Sequence, residues 1–342
     1  SAIRRPAYFD GLLRVLQVLN IDYDMADLNM STAEALSRYK QVWAFVTDEM
    51  DATAQQTIAD YITGGGNAVI YPYLPDRELS QKNCTVLRDA LKLSPSGSEI
   101  IDSPLVDILA YRDIKCSNPI MTFTDVELAG TEIIARTISG TPCGFSGKVG
   151  QGNATYIGTW LGFDTEGHKP VYEALLKRSG AILRQAWSDN DYLTVRERFA
   201  GNGKALLFVA NYYNEERSGM ITYTHPESGE AVTLPLSGKA ITWPALYGVL
   251  TPVCLEISQG LKILHSSSDI LGYEMKEDEL HLTLFGDRNL QGEIVFEGQD
   301  AASIRSADIG GTQIGLNCIG DRIALTYSHE HKKEMVLKIS FI

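Results

Sequence analysis

The sequence predicts a chain of two textures, α/β followed by all-β. A layered domain with a mostly parallel sheet is expected over residues 1–188, and an antiparallel β-sandwich-type region over residues 189–342. Three observations predict this. The first half alternates helical windows with short, continuously apolar strands, the pattern of a sheet covered on both faces. From about Asp189 the helical windows stop, and short strands recur between Gly, Asn, Asp and Ser. The length of 342 residues also suits about two domains.

Each element has a local reason. From Pro6 to Leu19 the apolar residues Phe9, Leu12, Leu13, Leu16 and Leu19 fall at helical spacing, with Pro6 in the first turn. Asn20–Met25 offers a short strand, and Ser31-Thr32-Ala33-Glu34 reads as a capping box for a helix ending near Tyr39. Gln41–Val46 is a strand apolar enough to be buried on both faces. Asp51 can cap a helix with an apolar stripe of Ala54, Ile58, Tyr61 and Ile62, which Gly64-Gly65-Gly66 stops. Ala68–Tyr71 is a strand ended by prolines, Cys84–Leu91 a helix, and short strands run to Lys148. Ala154–Thr159 is a strand and Pro170–Ala186 a closing helix. Layered folds of this kind open with a strand, whereas this chain opens with a helix, so the first strand is expected upstream of Ser1. In the second half, strands are expected at 192–199, 204–211, 220–224, 232–236, 261–266, 280–285, 292–297, 322–327 and 335–342, with Gly201-Asn202-Gly203 as a hairpin turn.

Composition narrows the function. A net charge of −13 removes the basic stripe that nucleic acids or anionic membranes require. Apolar runs such as Ala205–Ala210 fall far short of the roughly 20 residues of a membrane span. Five scattered cysteines (Cys84, Cys116, Cys143, Cys254, Cys318) form no disulfide framework or zinc spacing, so free thiols in a reducing, cytoplasmic setting are expected.

Few residues invite chemistry. Cys84 could be a nucleophile, yet Lys82-Asn83-Cys84-Thr85-Val86 lacks the small residues of a nucleophile elbow. His225-Pro226-Glu227 matches the base and orienting acid of class I glutamine amidotransferases, but it follows an alternating strand and reads as a solvated hairpin turn. His168 is expected in a loop leading into a helix. His329 and His331 lie two apart on one strand without a third metal ligand. The carboxylates Asp48, Glu49, Asp51, Glu215, Glu216, Asp300 and Asp308 sit in turn-like contexts, and glycosidase chemistry needs two carboxyls in one cleft. Gly64–Gly66 precedes a strand, the reverse of a phosphate loop, and Gly150-Gln151-Gly152-Asn153 reads as a turn. Trp160, Trp187, Tyr212, Tyr213, Trp243 and Tyr247 could form a sugar platform or fill cores.

Several stretches together resemble the C-terminal half of β-galactosidases of glycoside hydrolase families 35 and 42. They are Leu36–Trp43, Tyr61–Val69, Gly150–Thr159, and Leu206-Leu207-Phe208-Val209-Ala210-Asn211-Tyr212. The resemblance implies a flavodoxin-like, class I glutamine amidotransferase-like domain followed by a β-domain. It also implies that the catalytic carboxylates belong to an N-terminal barrel outside this chain. Where an active amidotransferase carries His-x-Glu, Thr159-Trp160-Leu161-Gly162 stand here, so no catalytic residue carries over. The expected role is therefore a non-catalytic assembly and accessory region. A sugar-binding module and a cysteine enzyme of the amidotransferase class are the competing readings. No catalytic residue, cofactor or metal is expected, and no residue is assigned to sugar. The expected partners are the missing barrel, a second copy of the chain, and carbohydrate; nucleic acid and membrane are not expected.

Overall fold

The computed structural model describes residues 6–124, 130–161, 165–180, 184–199 and 204–342, with backbone alone for 6–10 and 165–166. The chain divides into two compact units, Ser1–Leu183 and Arg184–Ile342.

The elements of the first unit are α1 (Pro6–Val18), α2 (Ala33–Leu36), β1 (Val42–Val46), α3 (Ala52–Thr63), β2 (Asn67–Pro72), α4 (Val86–Leu91), β3 (Gly97–Glu99), β4 (Leu105–Ile108), β5 (Tyr111–Lys115), β6 (Ile120–Thr122), β7 (Glu132–Thr137), β8 (Pro142–Val149), β9 (Gly152–Ile157) and α5 (Thr165–Arg178). Seven strands form one sheet in the order β1-β2-β9-β8-β7-β4-β5. Only β1, β2 and β9 are parallel neighbours, and every later pairing is antiparallel. The sheet is therefore mixed, not mostly parallel. Residues 105–115 and 132–157 build hairpins, which need only short turns, while parallel neighbours need a helical crossover.

Helices cover both faces. Leu12, Val15 and Leu16 of α1 and Leu175 and Leu176 of α5 share a core with Val69, Tyr71 and Ile157. On the other face, Leu36 of α2 and Ile58, Tyr61 and Ile62 of α3 pack against Ala44, Val46, Ile70 and Tyr156. Thr32, not Ser31, caps α2 by accepting the Ala35 amide at 3.1 Å, and the helix stops at Leu36. Asp51 stands at the N-terminus of α3 without a side-chain capping bond. Helix α5 starts and stops earlier than expected and takes Pro170 into its interior. The β8–β9 turn explains its glycines: Gly150 holds φ +59°, and a methyl on Gly152 would collide with the Gly66 carbonyl oxygen.

Two expectations fail at one edge of this sheet. β1 is an edge strand, with three of its five residues only half-buried. The segment 21–27 carries no strand, although Ile21, Tyr23 and Met25 alternate with Asp22 and Asp24. A lone alternating segment gains no ladder bonds, and among the described residues no strand pairs with it.

The second unit is all-β. Its strands are β10 (Ala186–Ser188), β11 (Thr194–Phe199), β12 (Ala205–Asn211), β13 (Arg217–Gly219), β14 (Ile221–Thr224), β15 (Ala231–Leu234), β16 (Ile241–Trp243), β17 (Tyr247–Val253), β18 (Leu255–Ser258), β19 (Leu261–Ser266), β20 (Asp269–Lys276), β21 (Glu279–Gly286), β22 (Leu290–Glu297), β23 (Ile304–Ile309), β24 (Thr312–Ile314), β25 (Leu316–Ile319), β26 (Arg322–His329) and β27 (Lys333–Phe341). Strands β10 to β17 make small antiparallel sheets, and β18 to β27 make two five-stranded ones. The β-sandwich-type expectation fits this arrangement. The Gly201-Asn202-Gly203 turn lies outside the described residues. Along β22, Ile294 and Phe296 enter the core between the two five-stranded sheets, while Val295 enters the core with β10–β17. β19 and β22, at the middle of that sheet, are buried on both faces and show near-continuous burial; β21, buried on one face, alternates.

Candidate functional site

The singled-out residues scatter. Cys84 is half-buried ahead of α4, its amide donating to the Asp76 carbonyl at 2.9 Å. Among the described residues no hydrogen bond joins it to a histidine. His168 is not in a loop: it lies buried within α5, with Nε2 2.9 Å from the Lys115 carbonyl oxygen. Thr159 is buried and donates Oγ1–H to Ser117 O at 2.6 Å, Trp160 stacks on Phe45 at 5.3 Å, and Gly162 is outside the described residues. Trp160, Trp243 and Tyr247 fill cores. Trp187, Tyr212 and Tyr213 are exposed, but the Arg217 guanidinium already lies over Tyr213 at 5.3 Å and over Tyr192 at 4.7 Å. The surface carboxylates serve local bonds, Glu49 with Gln81, Glu215 with Arg217 and Asp308 with the Gly311 amide.

The densest chemistry is a buried cluster at the β14–β15 hairpin. His225 is buried there, not solvated, because its ring turns inward toward Cys254 and Glu297. Nε2 lies 3.0 Å from Glu297 Oε1 and 3.2 Å from Cys254 Sγ, and Sγ lies 3.5 Å from the same carboxylate oxygen. The three donor atoms fall within 4.8 Å of one another, the compactness of a metal site. Their protonation opposes one. His225 Nδ1 accepts the amides of Glu227 and Ser228 at 3.2 and 3.1 Å, so the neutral ring carries its proton on Nε2. A metal at Nε2 would require an imidazolate or the loss of both turn bonds. Glu297 Oε2 is also taken by Arg322 Nε at 3.3 Å. Burial, and then the Glu297 charge, pushes the Cys254 thiol far above the usual range, so no thiolate is available as a nucleophile. The cluster is a hydrogen-bonded clamp on the hairpin, and the Lys262–Glu227 ion pair at 2.7 Å flanks it.

A second buried network follows β19. Glu293, on the face it shares with Val295, accepts the Leu236 amide at 2.6 Å and the His265 Nε2–H at 3.2 Å. His265 Nδ1 accepts the Tyr223 hydroxyl at 2.8 Å. Ser268 donates to His329 Nδ1 at 3.0 Å, while His329 Nε2 donates to the Lys333 carbonyl at 3.0 Å. A Ser–His pair is the geometry of an activated nucleophile. Here Ser268 is 0% and His329 2% exposed, and a carbonyl replaces the orienting acid, so no substrate reaches it. His329 ends β26 and His331 sits in the following turn, so the two do not share a strand. Sequence reasoning passed over His265, Glu293 and Glu297. The available signal was polar residues at inward positions of apolar strands, with the Ser266-Ser267-Ser268 run beside them.

In the first unit, a groove of about 760 Å³ lies between β1 and the segment 21–29. Leu16 and Leu176 line it from one side of the sheet, Leu36 and Ala54 from the other.

Comparison with known proteins gives this geometry a context. A family model described as "GLMA-like, second domain" matches residues 1–127. A β-1,2-glucosyltransferase from Ignavibacterium album is 28% identical over 67% of this chain and 30% of its own length. An exo-β-D-glucosaminidase from Pyrococcus horikoshii is 26% identical over 77% of this chain and 32% of its own. The chain thus spans about a third of the length of these relatives. Among solved structures, a GH42 β-galactosidase from G. stearothermophilus superposes with a TM-score of 0.56 at 15% identity, over 73% of this chain and 36% of that one. A β-galactosidase from Bacillus circulans sp. alkalophilus gives 0.53 at 18% identity, over 72% and 37%. The fold is that of a region within such glycoside hydrolases.

Proposed function

We propose that this chain is a non-catalytic assembly and accessory region of a longer enzyme acting on β-linked sugars, with the reacting carboxylates in a barrel elsewhere in the polypeptide. One observation carries the reading. Among the described residues the well-buried carboxylates are already committed: Glu197 to Arg184, Glu293 to His265, and Glu297 to Arg322 and His225. A glycosidase needs a proton-donating carboxyl and a second carboxylate facing one sugar in a cleft. Asp269, whose carboxyl burial holds above the usual range, spends its Oδ1 on the Leu250 amide at 3.0 Å.

The β-galactosidase-like architecture and the matched description as a second domain support the accessory role. The names of the relatives favour glucosamine or glucose over galactose as the sugar handled by the parent enzyme. The amidotransferase-like character of the first unit, which we include in this reading, carries no glutaminase chemistry. The 342-residue chain is assayed beside the longer polypeptide on p-nitrophenyl β-galactoside and β-glucosaminide. Turnover is expected from the longer polypeptide alone, and hydrolysis by the shorter chain that survives purification overturns the reading.

A further inference from the structure

The two ring nitrogens of His225 face opposite surroundings. Nε2 points at Glu297 Oε1 of β22, 3.0 Å away, with the Cys254 thiol, between β17 and β18, at 3.2 Å. Nδ1 points at donors, the amides of Glu227 and Ser228 at 3.2 and 3.1 Å. The neutral ring satisfies both sides at once, donating from Nε2 and accepting at Nδ1. A second proton has only Nδ1 to occupy, where it would turn both accepted bonds into donor–donor contacts.

The charges packed around the ring do not supply this resistance. Glu297 faces the ring from β22, and Glu227 and Glu230 belong to the hairpin itself. Lys262 of β19 is paired with Glu227 at 2.7 Å, and Arg322 of β26 with Glu230 and Glu297. Cys254 stays a neutral thiol, because burial and then the Glu297 charge push it far up. Three carboxylates thus stand against two cations, a setting that favours positive charge on the ring. Only the Nδ1 geometry opposes the proton, and the turn that creates it is easily moved. Residues 227–230 are exposed, so released amides find water, whereas His225 is only 5% exposed.

We propose that the β14–β15 hairpin is an acid-operated latch. A proton taken from solvent at His225 Nδ1 releases the Glu227 and Ser228 amides and frees the 226–229 turn from the ring, while Nε2 keeps its bond to Glu297. The closed hairpin holds one proton on the imidazole and the open one holds two. Linkage therefore favours the closed form at neutral pH and the open form as pH falls. With an exposed imidazole titrating at about 6.5, the ratio of open to closed rises about thirtyfold from pH 8 to pH 5. Stopping at pH 5 stays above the ordinary carboxylate range.

The test is amide hydrogen exchange on the 342-residue chain, corrected at each pH for the intrinsic rate of the unstructured sequence. Protection of the Glu227 and Ser228 amides is expected to fall by up to about thirtyfold between pH 8 and pH 5, while the amides of β22 hold steady. Nitrogen NMR of the imidazole reads the ring directly, and the second proton should arrive as protection falls. His225→Asn keeps a carbonyl acceptor for both amides and does not titrate, so its protection should stay level across the same range. Exchange at two amides reports local opening, which keeps His329, another histidine whose burial resists a proton, out of the comparison. A ring that becomes doubly protonated with both amides still protected overturns the proposal, and so does a ring that stays neutral down to pH 5. An equal fall in protection in His225→Asn also overturns it, because the opening then has another cause. The parent chain alone decides the first two outcomes if the variant fails to fold.

Discussion

Replacing Glu293 with alanine should be among the most costly single changes in the second unit. Its carboxylate is 2% exposed, and one oxygen, Oε1, takes both the Leu236 amide at 2.6 Å and the His265 Nε2–H at 3.2 Å. Glu293→Ala strands the buried His265 Nε2–H and the half-buried Leu236 amide at about 1–3 kcal/mol each, in line with the roughly 3–5 kcal/mol lost when one partner of a buried pair is removed. For a unit of this size each kcal/mol moves the midpoint by about 2–4 °C, so a fall of about 6–20 °C is expected. Oε2 has no hydrogen-bond partner, which makes the native carboxylate costly in its own right. The paired change Glu293→Leu with His265→Phe should therefore lose less than Glu293→Ala alone. Calorimetry and urea denaturation read both variants. Glu274→Ala is the control, because its ion pair with Lys276 is exposed and worth under about 0.5 kcal/mol. A Glu293→Ala chain within about 1 kcal/mol of the parent would refute the reasoning.

Two further expectations concern titration. Burial holds the His329 pKa below its ordinary 6.5, so the folded state resists the proton that the unfolded chain accepts. Its contribution is complete above about pH 6.5 and is lost as pH falls toward the folded value, so stability should decline from pH 7 to 5.5 and flatten in His329→Gln. Asp269, raised by burial, works in the opposite sense within the carboxylate range, which is why the comparison stops at pH 5.5. A parent and a His329→Gln variant with parallel stability profiles would remove the assignment. For the thiols, burial pushes Cys116 up to about 11 and Cys143 up to about 12, with Cys254 higher still, whereas Cys318 is exposed. A disulfide reagent at pH 8 should modify Cys318 at once and those three only on unfolding, and peptide mapping of a Cys254 adduct on the native chain would contradict this.

Local patterns placed the elements whose physics is local. The apolar spacing of α1 and α3 and the glycines at 64–66 are set by neighbours within a few residues and are legible as written, whereas the turn at Gly150–Gly152 is legible as a turn but owes its glycines to Thr63 and Gly66 packed against it. The continuous apolar runs that become β1, β2 and β9 announced strands, and the turn-punctuated second half announced antiparallel sheets. What the runs could not carry is direction and company. Whether a strand is parallel, central or at an edge depends on partners as far away as Asn153 is from Asn67, and β1 is as apolar as a central strand while standing at the border of its sheet. The buried chemistry was hidden for the same reason. His225 looks like a turn residue beside its neighbours, and only folding brings Cys254 and Glu297 to its ring, from two other stretches of chain. A side chain's solvation and protonation are set by what surrounds it in space, and for these residues that company is assembled by tertiary structure alone.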